Sequence, residues 1–226
     1  MSEQVIVVRR DVLAEVRADA AVERQRLTAR GTLVVNLLSS PGAGKTSLLE
    51  ATARIFQSRR TMAVLVGDLE TDRDAQRLAR YVPTVQLTTG GACHLELPLV
   101  TRGLEKLGDP QVEFLFIENV GNLVCTASHD LAEHLRVVLL STTEGDDKPG
   151  KYPKIFRTSQ TMLITKLDLL PHVPFSIEAA VDDARRIQPD LDVFSVCALD
   201  GRGIEDWCRY LEQQRDNLLR RTAGLD

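Results

Sequence analysis

The chain is 226 residues long, about one and a half typical domains, so one α/β domain with a short appendage is the economical reading. Hydrophobic residues at 43% and charged residues at 27% suffice for a real core and exclude a disordered or fibrous chain. With 28 basic and 32 acidic residues the net charge is −4 and like charges are not clustered, which argues against nucleic-acid and membrane partners; no apolar run nears the roughly 20 residues of a membrane helix.

The opening Met1-Ser2-Glu3-Gln4 has no basic region leading into an apolar stretch, so no targeting segment and a cytoplasmic protein are expected. Residues Asp11 to Ala29, with Val12, Val16, Ala20 and Leu27 at helical spacing, predict an N-terminal helix. This gives a helical extension over 1–30 ahead of a main domain over 31–226. Short apolar runs follow at Leu33–Leu38, Met62–Val66, Val85–Leu87, Phe114–Ile117, Val137–Leu140, Met162–Thr165 and Val193–Val196. Helical patterns fall between and after them at Lys45–Gln57, Arg73–Tyr81, His94–Leu107, Ile177–Ile187 and Ile204–Leu219. Alternating strands and helices imply right-handed crossovers and a mostly parallel sheet of about seven strands, with ligands at the carboxyl ends of the strands.

The first strand runs into Ser39-Ser40-Pro41-Gly42-Ala43-Gly44-Lys45-Thr46, followed by Ser47 and an amphipathic helix. This is the layout of a phosphate-binding P-loop. The backbone N–H groups of Gly42, Ala43, Gly44 and Ser47 and the helix N-terminus face an anion, Lys45 reaches the β/γ-phosphates, and the Thr46 hydroxyl holds Mg²⁺. Ser39 stands at the first glycine of the pattern, which a small residue can fill where positive φ is not required. Asp68, Glu70 and Asp72 follow the second strand and Glu118 ends the fourth. Asp68 and Glu118 are therefore expected near Mg²⁺, with Asp72 positioning the attacking water or merely capping a helix. Glu118-Asn119-Val120-Gly121 has the spacing of the GTPase D-x-x-G switch, with Glu in place of Asp and Gly121 sensing the γ-phosphate.

Thr165-Lys166-Leu167-Asp168 resembles the N/T-K-x-D motif of GTPases. The Asp168 carboxylate accepts from guanine N1–H and the exocyclic amine together, which adenine cannot offer, while Lys166 lies along the base face. Thr165 occupies the place of the commoner Asn. In Val196-Cys197-Ala198-Leu199 the Ala198 N–H is expected to meet guanine O6, with Cys197 and Leu199 departing from the usual S-A-K.

Cys93-His94 sits in a glycine turn opening a helix, whose N-terminus helps deprotonate a thiol, and Cys125 lies seven residues past Glu118. Thiolate and imidazole suit Zn²⁺ or Ni²⁺, yet without a C-x-x-C or H-x-x-x-H pair the spacing leaves both core and metal readings open. His129 is a possible further ligand. Cys197 and Cys208 read as core thiols, and His134 and His172 as ordinary surface or loop histidines.

Four strings occur in order: Asn36 to Thr46, Gly90 to Leu95, Glu118 to Cys125, and Glu144 to Pro149 with Lys151-Tyr152-Pro153. Together they resemble the nickel-insertion GTPases of hydrogenase maturation, the HypB family, within the SIMIBI class of P-loop GTPases. The resemblance implies a GTP-hydrolysing metallochaperone, with GTP/GDP, Mg²⁺ and Ni²⁺ or Zn²⁺ as ligands. It places Cys93, His94 and Cys125 at a metal site shared across a nucleotide-dependent homodimer, and Lys148 in a switch segment near the nucleotide. A second nickel-maturation protein and a hydrogenase large-subunit precursor are the implied partners. Thr126 stands where the family usually has Pro, Gly150 where Leu is common, and the first cysteine is Cys93, so no N-terminal cysteine motif for nickel is expected. Rival readings are a urease-type or metal-independent GTPase chaperone of a cofactor enzyme, a small-molecule kinase, against which Asp168 argues, and a nucleotide-binding module without turnover.

Overall fold

The computed structural model describes residues 8–68 and 72–224. The opening Met1–Gln4, the side chain of Val12 and Glu70 lie outside the described residues. Seven strands, β1 (Leu33–Ser39), β2 (Met62–Asp68), β3 (Thr84–Thr88), β4 (Phe114–Glu118), β5 (Leu135–Ser141), β6 (Thr161–Thr165) and β7 (Asp192–Ser195), form one sheet in the order β3-β2-β4-β1-β5-β6-β7. Every pairing is parallel. The helices are α1 (Val8–Ala29), α2 (Lys45–Phe56), α3 (Arg73–Leu78), α4 (Leu97–Lys106), α5 (Lys148–Lys151), α6 (Pro153–Arg157), α7 (Ile177–Ile187) and α8 (Ile204–Thr222).

The central strands read as unbroken apolar runs because helices cover both faces of the sheet. Alternate residues divide between the two layers: Leu33, Val35 and Leu37 of β1 join the core with Leu48, Phe56 and Trp207, while Val34 joins Leu27, Leu104 and Ile117 on the other face. β1 lies between β4 and β5, so the connections leaving it and crossing it part at its carboxyl end, where open α/β sheets place their ligands.

Three local expectations change. The helix expected from His94 begins at Leu97, because Pro98 in its first turn has no N–H for the carbonyl four residues back. Cys93 is thus ahead of the first turn, beyond the short reach of a helix terminus. The segment after β5 forms α5 and α6, too short and too broken by Pro149 and Pro153 to leave a periodic signal. On α1, Ala20 and Leu27 are buried but Val16 is exposed, so the apolar stripe seats only the second half of the helix.

His134, read as an ordinary surface or loop histidine, lies in the loop just before β5 but is largely withdrawn from solvent and bonded on both ring nitrogens. Its Nδ1 accepts the Val34 N–H at 2.9 Å and its Nε2 lies 2.8 Å from Thr28 Oγ1, whose own proton goes to the Arg24 carbonyl. The ring is therefore the neutral Nε2–H tautomer, joining α1 to β1. Burial, with the Arg24 charge, pushes His134 down to about 4. Between that value and about 6.5 the unfolded chain binds the extra proton, so stability is full at neutral pH and lost as pH falls through this window. A loss of about 2–3 kcal/mol between pH 7 and pH 4 is expected from this group. Denaturant melts at several pH values should show His134→Gln, which takes up no proton, with a flatter profile than the wild type; identical slopes would refute the assignment.

Candidate functional site

The phosphate loop leaves β1 and closes onto α2 with Gly44 at φ 97°, a left-handed conformation that favours glycine. Ser39 keeps an ordinary φ and its Oγ accepts from Lys45 Nζ at 3.0 Å, so the replacement of the first glycine supplies a partner for the lysine. Burial pushes the Lys45 ammonium down, opposed by the charges of Glu118, Asp74 and Asp68. Thr46 Oγ1 donates to Glu118 Oε1 at 2.8 Å, bringing the P-loop and the end of β4 together across 72 residues. Glu118 Oε2 is buried with no hydrogen-bond partner among the described residues. Burial pushes this carboxyl up to about 7, against the pull of Lys45 and the Thr46 hydroxyl. A hydroxyl beside a buried, half-satisfied carboxylate is a hard oxygen donor pair of the kind Mg²⁺ takes, so these residues fit that ion.

Gly121 abuts the same loop: a Cβ there would stand 2.8 Å from the Pro41 backbone, which only glycine avoids. Asp68 ends β2 in register with Thr88. Asp72 is exposed at the start of α3, where Gln76 Nε2 donates to it at 2.7 Å. The acid of this segment that lines the phosphate cleft is Asp74, together with Arg77. Neither was signalled in the sequence, since charged residues on a short helix look like a solvated face. Arg77 is held by Glu50 at 2.8 Å and reaches Ser47 Oγ at 3.3 Å.

A second cleft, about 300 Å³, continues from Gly44 and Ser47 to Lys166, Asp168, Ala198 and Leu199. Thr165 Oγ1 donates to the Ala43 carbonyl at 2.7 Å, so the residue in place of Asn still fastens this loop to the P-loop. Lys166 adopts φ 60° and its carbonyl accepts from Thr142 Oγ1 at 2.8 Å. Cys197 is buried, as is Cys208, and the Cys197 thiol donates to Asp168 Oδ1 at 3.2 Å. Lys148 opens α5 with its ammonium 3.7 Å from Glu144 and over the Tyr152 ring, and does not line either cleft. Gly150 donates its N–H to Asp183 of α7 at 2.6 Å.

The two cysteine segments meet beyond the carboxyl ends of β3 and β4. Cys93 Sγ lies 3.8 Å from His94 Nδ1, and His94 Nε2 lies 3.5 Å from Glu96. The neighbouring Cys93 thiol and, second, burial push the Cys125 thiol up. Asn122 Oδ1 accepts the Val124 and Cys125 N–H groups at 2.8 and 2.9 Å, and Thr126, in place of Pro, closes the turn through its hydroxyl on the Asn122 carbonyl. Among the described residues no three Cys, His, Asp or Glu side chains are arranged as a metal cage.

A buried polar chain, which Asn36 in an otherwise apolar strand could have signalled, links these parts. Asn119 Oδ1 accepts the Leu95 N–H at 3.4 Å, Asn119 Nδ2 donates to Asn36 Oδ1 at 3.3 Å, and Asn36 Nδ2 donates to Glu133 at 3.4 Å. Glu133 is ion-paired with Arg136.

Residues 33–195 match the family profile described as CobW/HypB/UreG, nucleotide-binding domain. The hydrogenase maturation factor HypB of Azotobacter vinelandii is 47% identical, over 94% of this chain and 71% of that protein. The chain belongs to the HypB family. HypB from Helicobacter pylori, solved in complex with nickel, superposes at TM-score 0.85 with 38% identity, covering 90% of this chain and 97% of that one. HypB from Archaeoglobus fulgidus gives 0.82 with 34% identity, covering 89% and 99%. As a HypB-family protein the chain is a P-loop GTPase, and its all-parallel sheet and N-terminal helix are those of the HypB structures. No described helix is long and apolar enough to cross a membrane.

Proposed function

We propose that this GTPase is a cytoplasmic metallochaperone that takes up Ni²⁺, or Zn²⁺, through Cys93, His94 and Cys125 and releases it during maturation of a [NiFe]-hydrogenase precursor. The observation that carries the reading is that Cys125 shares one short segment with Glu118 and Gly121, and that this segment packs against the one holding Cys93 and His94, through His129 on the His94 ring and Asn119 on the Leu95 N–H. Relatives named as hydrogenase maturation factors, and one solved with nickel, support the cargo and its destination.

In this reading residues 31–226 form the GTPase domain and 1–30 an extension. Lys45 and the N–H groups of Gly42, Ala43, Gly44 and Ser47 hold the phosphates; Lys166, Asp168 and Ala198 hold guanine. Thr46, Asp68 and Glu118 would hold Mg²⁺, which when bound neutralises charge on the β- and γ-phosphate oxygens. Gly121 reads the γ-phosphate, Asp72 or its neighbour Asp74 orients water, and Lys148 responds from the switch segment. Arg77, the arginine among the described residues lining the phosphate cleft, is engaged by Glu50, so no arginine there is free to assist the departing phosphate and unassisted turnover is slow. Three ligands per chain leave one tetrahedral position open, which suits a metal that must leave. In this reading the site is shared across a nucleotide-dependent homodimer.

The test is nickel titration with GDP and with a non-hydrolysable GTP analogue, following mass in solution, beside a Cys93→Ala/Cys125→Ala variant. The wild type should bind nickel, the variant should not, and the analogue should shift nickel affinity by the same factor that nickel shifts analogue affinity. Nickel binding unchanged in the variant, with GTP still hydrolysed, would leave a metal-independent GTPase chaperone instead.

A further inference from the structure

Two segments meet on His129. Its ring lies on the His94 ring with centroids 3.7 Å apart and planes 15° from parallel, and its Nδ1 is 3.0 Å from the Cys125 carbonyl oxygen. A carbonyl only accepts, so Nδ1 carries the proton and donates. The imidazole thus touches the His of one segment and the backbone of the Cys of the other. It is braced from behind: the His129 carbonyl accepts from Arg136 Nη2 at 2.5 Å, and the same guanidinium is paired with the buried Glu133.

Cys93 and His94 already have the bite of a metal pair. With metal–sulfur and metal–nitrogen bonds of about 2.3 and 2.0 Å, a tetrahedral angle separates the two donors by about 3.5 Å, close to the 3.8 Å found. His94 also turns its other nitrogen to Glu96, the carboxylate–histidine arrangement that orients a ligating imidazole. What this pair needs is Cys125 held in register with it, and His129 lies across that junction.

His129 is badly placed to be a ligand beside His94. An ion lies near the plane of each imidazole that binds it, and two stacked, nearly parallel rings share no such point close to both.

We propose that His129 is a positioning residue of the metal site: its ring seats His94 and its Nδ1–H holds the Cys125 carbonyl, so that the three donors of its own chain approach one ion. The proposal rests on the metal reading above.

The experiment compares the wild-type chain, His129→Ala, His129→Gln and Cys93→Ala/Cys125→Ala in competition titrations of nickel against a coloured chelator, with X-ray absorption counting the imidazoles on nickel. His129→Ala should weaken nickel binding about tenfold, the usual size for a group that orients metal ligands. His129→Gln, whose amide can donate to the Cys125 carbonyl, should recover part of the loss. GTP affinity and melting temperature should stay at wild-type values, and the imidazole count per nickel should be the same in wild type and His129→Ala. Wild-type affinity in His129→Ala, no recovery in His129→Gln, or a lower imidazole count in His129→Ala would overturn the positioning role. If Cys93→Ala/Cys125→Ala binds nickel like the wild type, it is the metal reading itself that fails.

Discussion

Glu118→Gln is expected to slow GTP hydrolysis at least about a hundredfold while leaving GDP affinity within a few fold, a loss of about 3 kcal/mol in transition-state stabilisation. The substitution keeps the size of the side chain and an acceptor for the Thr46 hydroxyl, which now donates to Oε1 at 2.8 Å. It removes the negative charge and replaces Oε2, buried with no partner among the described residues, by an amide nitrogen that cannot ligate a cation. Hydrolysis suffers because charge on the departing phosphate grows in the transition state, where a correctly held cation counts most; GDP has no γ-phosphate and depends mainly on the loop N–H groups and Lys45. Since burial holds the Glu118 carboxyl up at about 7, the protein without nucleotide is disfavoured by that charge. The variant should therefore melt no lower than the wild type, which separates a chemical defect from an unfolded one. Single-turnover rates with and without added Mg²⁺, beside fluorescent-GDP titrations, check this; a rate within threefold of wild type would remove Glu118 from the Mg²⁺ site.

Asp168→Asn is the second large effect. In the proposed base site guanine would present N1–H and an amine toward this position, so a carboxamide would place its own N–H donors against donors, and GTP affinity should fall about ten- to a hundredfold, the worth of a bidentate base contact. Xanthine carries a carbonyl where guanine has the amine, so XTP should gain on GTP. The neighbourhood makes the variant readable: Thr165 still ties the loop to Ala43 at 2.7 Å, and the Cys197 thiol still has an oxygen to donate to, now 3.2 Å away on Asp168. Competition among GTP, XTP and ATP measures the change, and an unaltered GTP-to-ATP ratio would show that the base is read elsewhere.

Some of this architecture is written locally. The seven apolar runs became the seven strands because a parallel sheet covered on both faces demands unbroken apolar segments, a pattern legible over five or six residues. Likewise the P-loop needs only the glycines, Lys45 and Thr46 placed between a strand and a helix, all within one turn of chain, so its chemistry could be read directly. The start of α4 was misplaced because the effect of Pro98 on its upstream carbonyls outweighs the helical spacing of the residues before it.

Contacts between distant segments were a different matter. That Thr46 meets Glu118, that Asp74 and Arg77 rather than Asp72 line the phosphate cleft, that His134 clasps α1 to β1, and that His129 bridges His94 and Cys125 all depend on strand register and on how each loop folds back over its strand end. Side-chain type and spacing carry no record of such distances. A histidine four residues after a cysteine looks the same whether it faces water or another imidazole, and only burial against a particular neighbour settles which. Fold class, the nucleotide loop and the acids at the strand ends were thus properties of short stretches of sequence. The joining of two remote segments into one cluster of thiols and imidazoles was decided by the packed sheet, because the free energy of long-range contacts is realised only after the whole chain has been ordered.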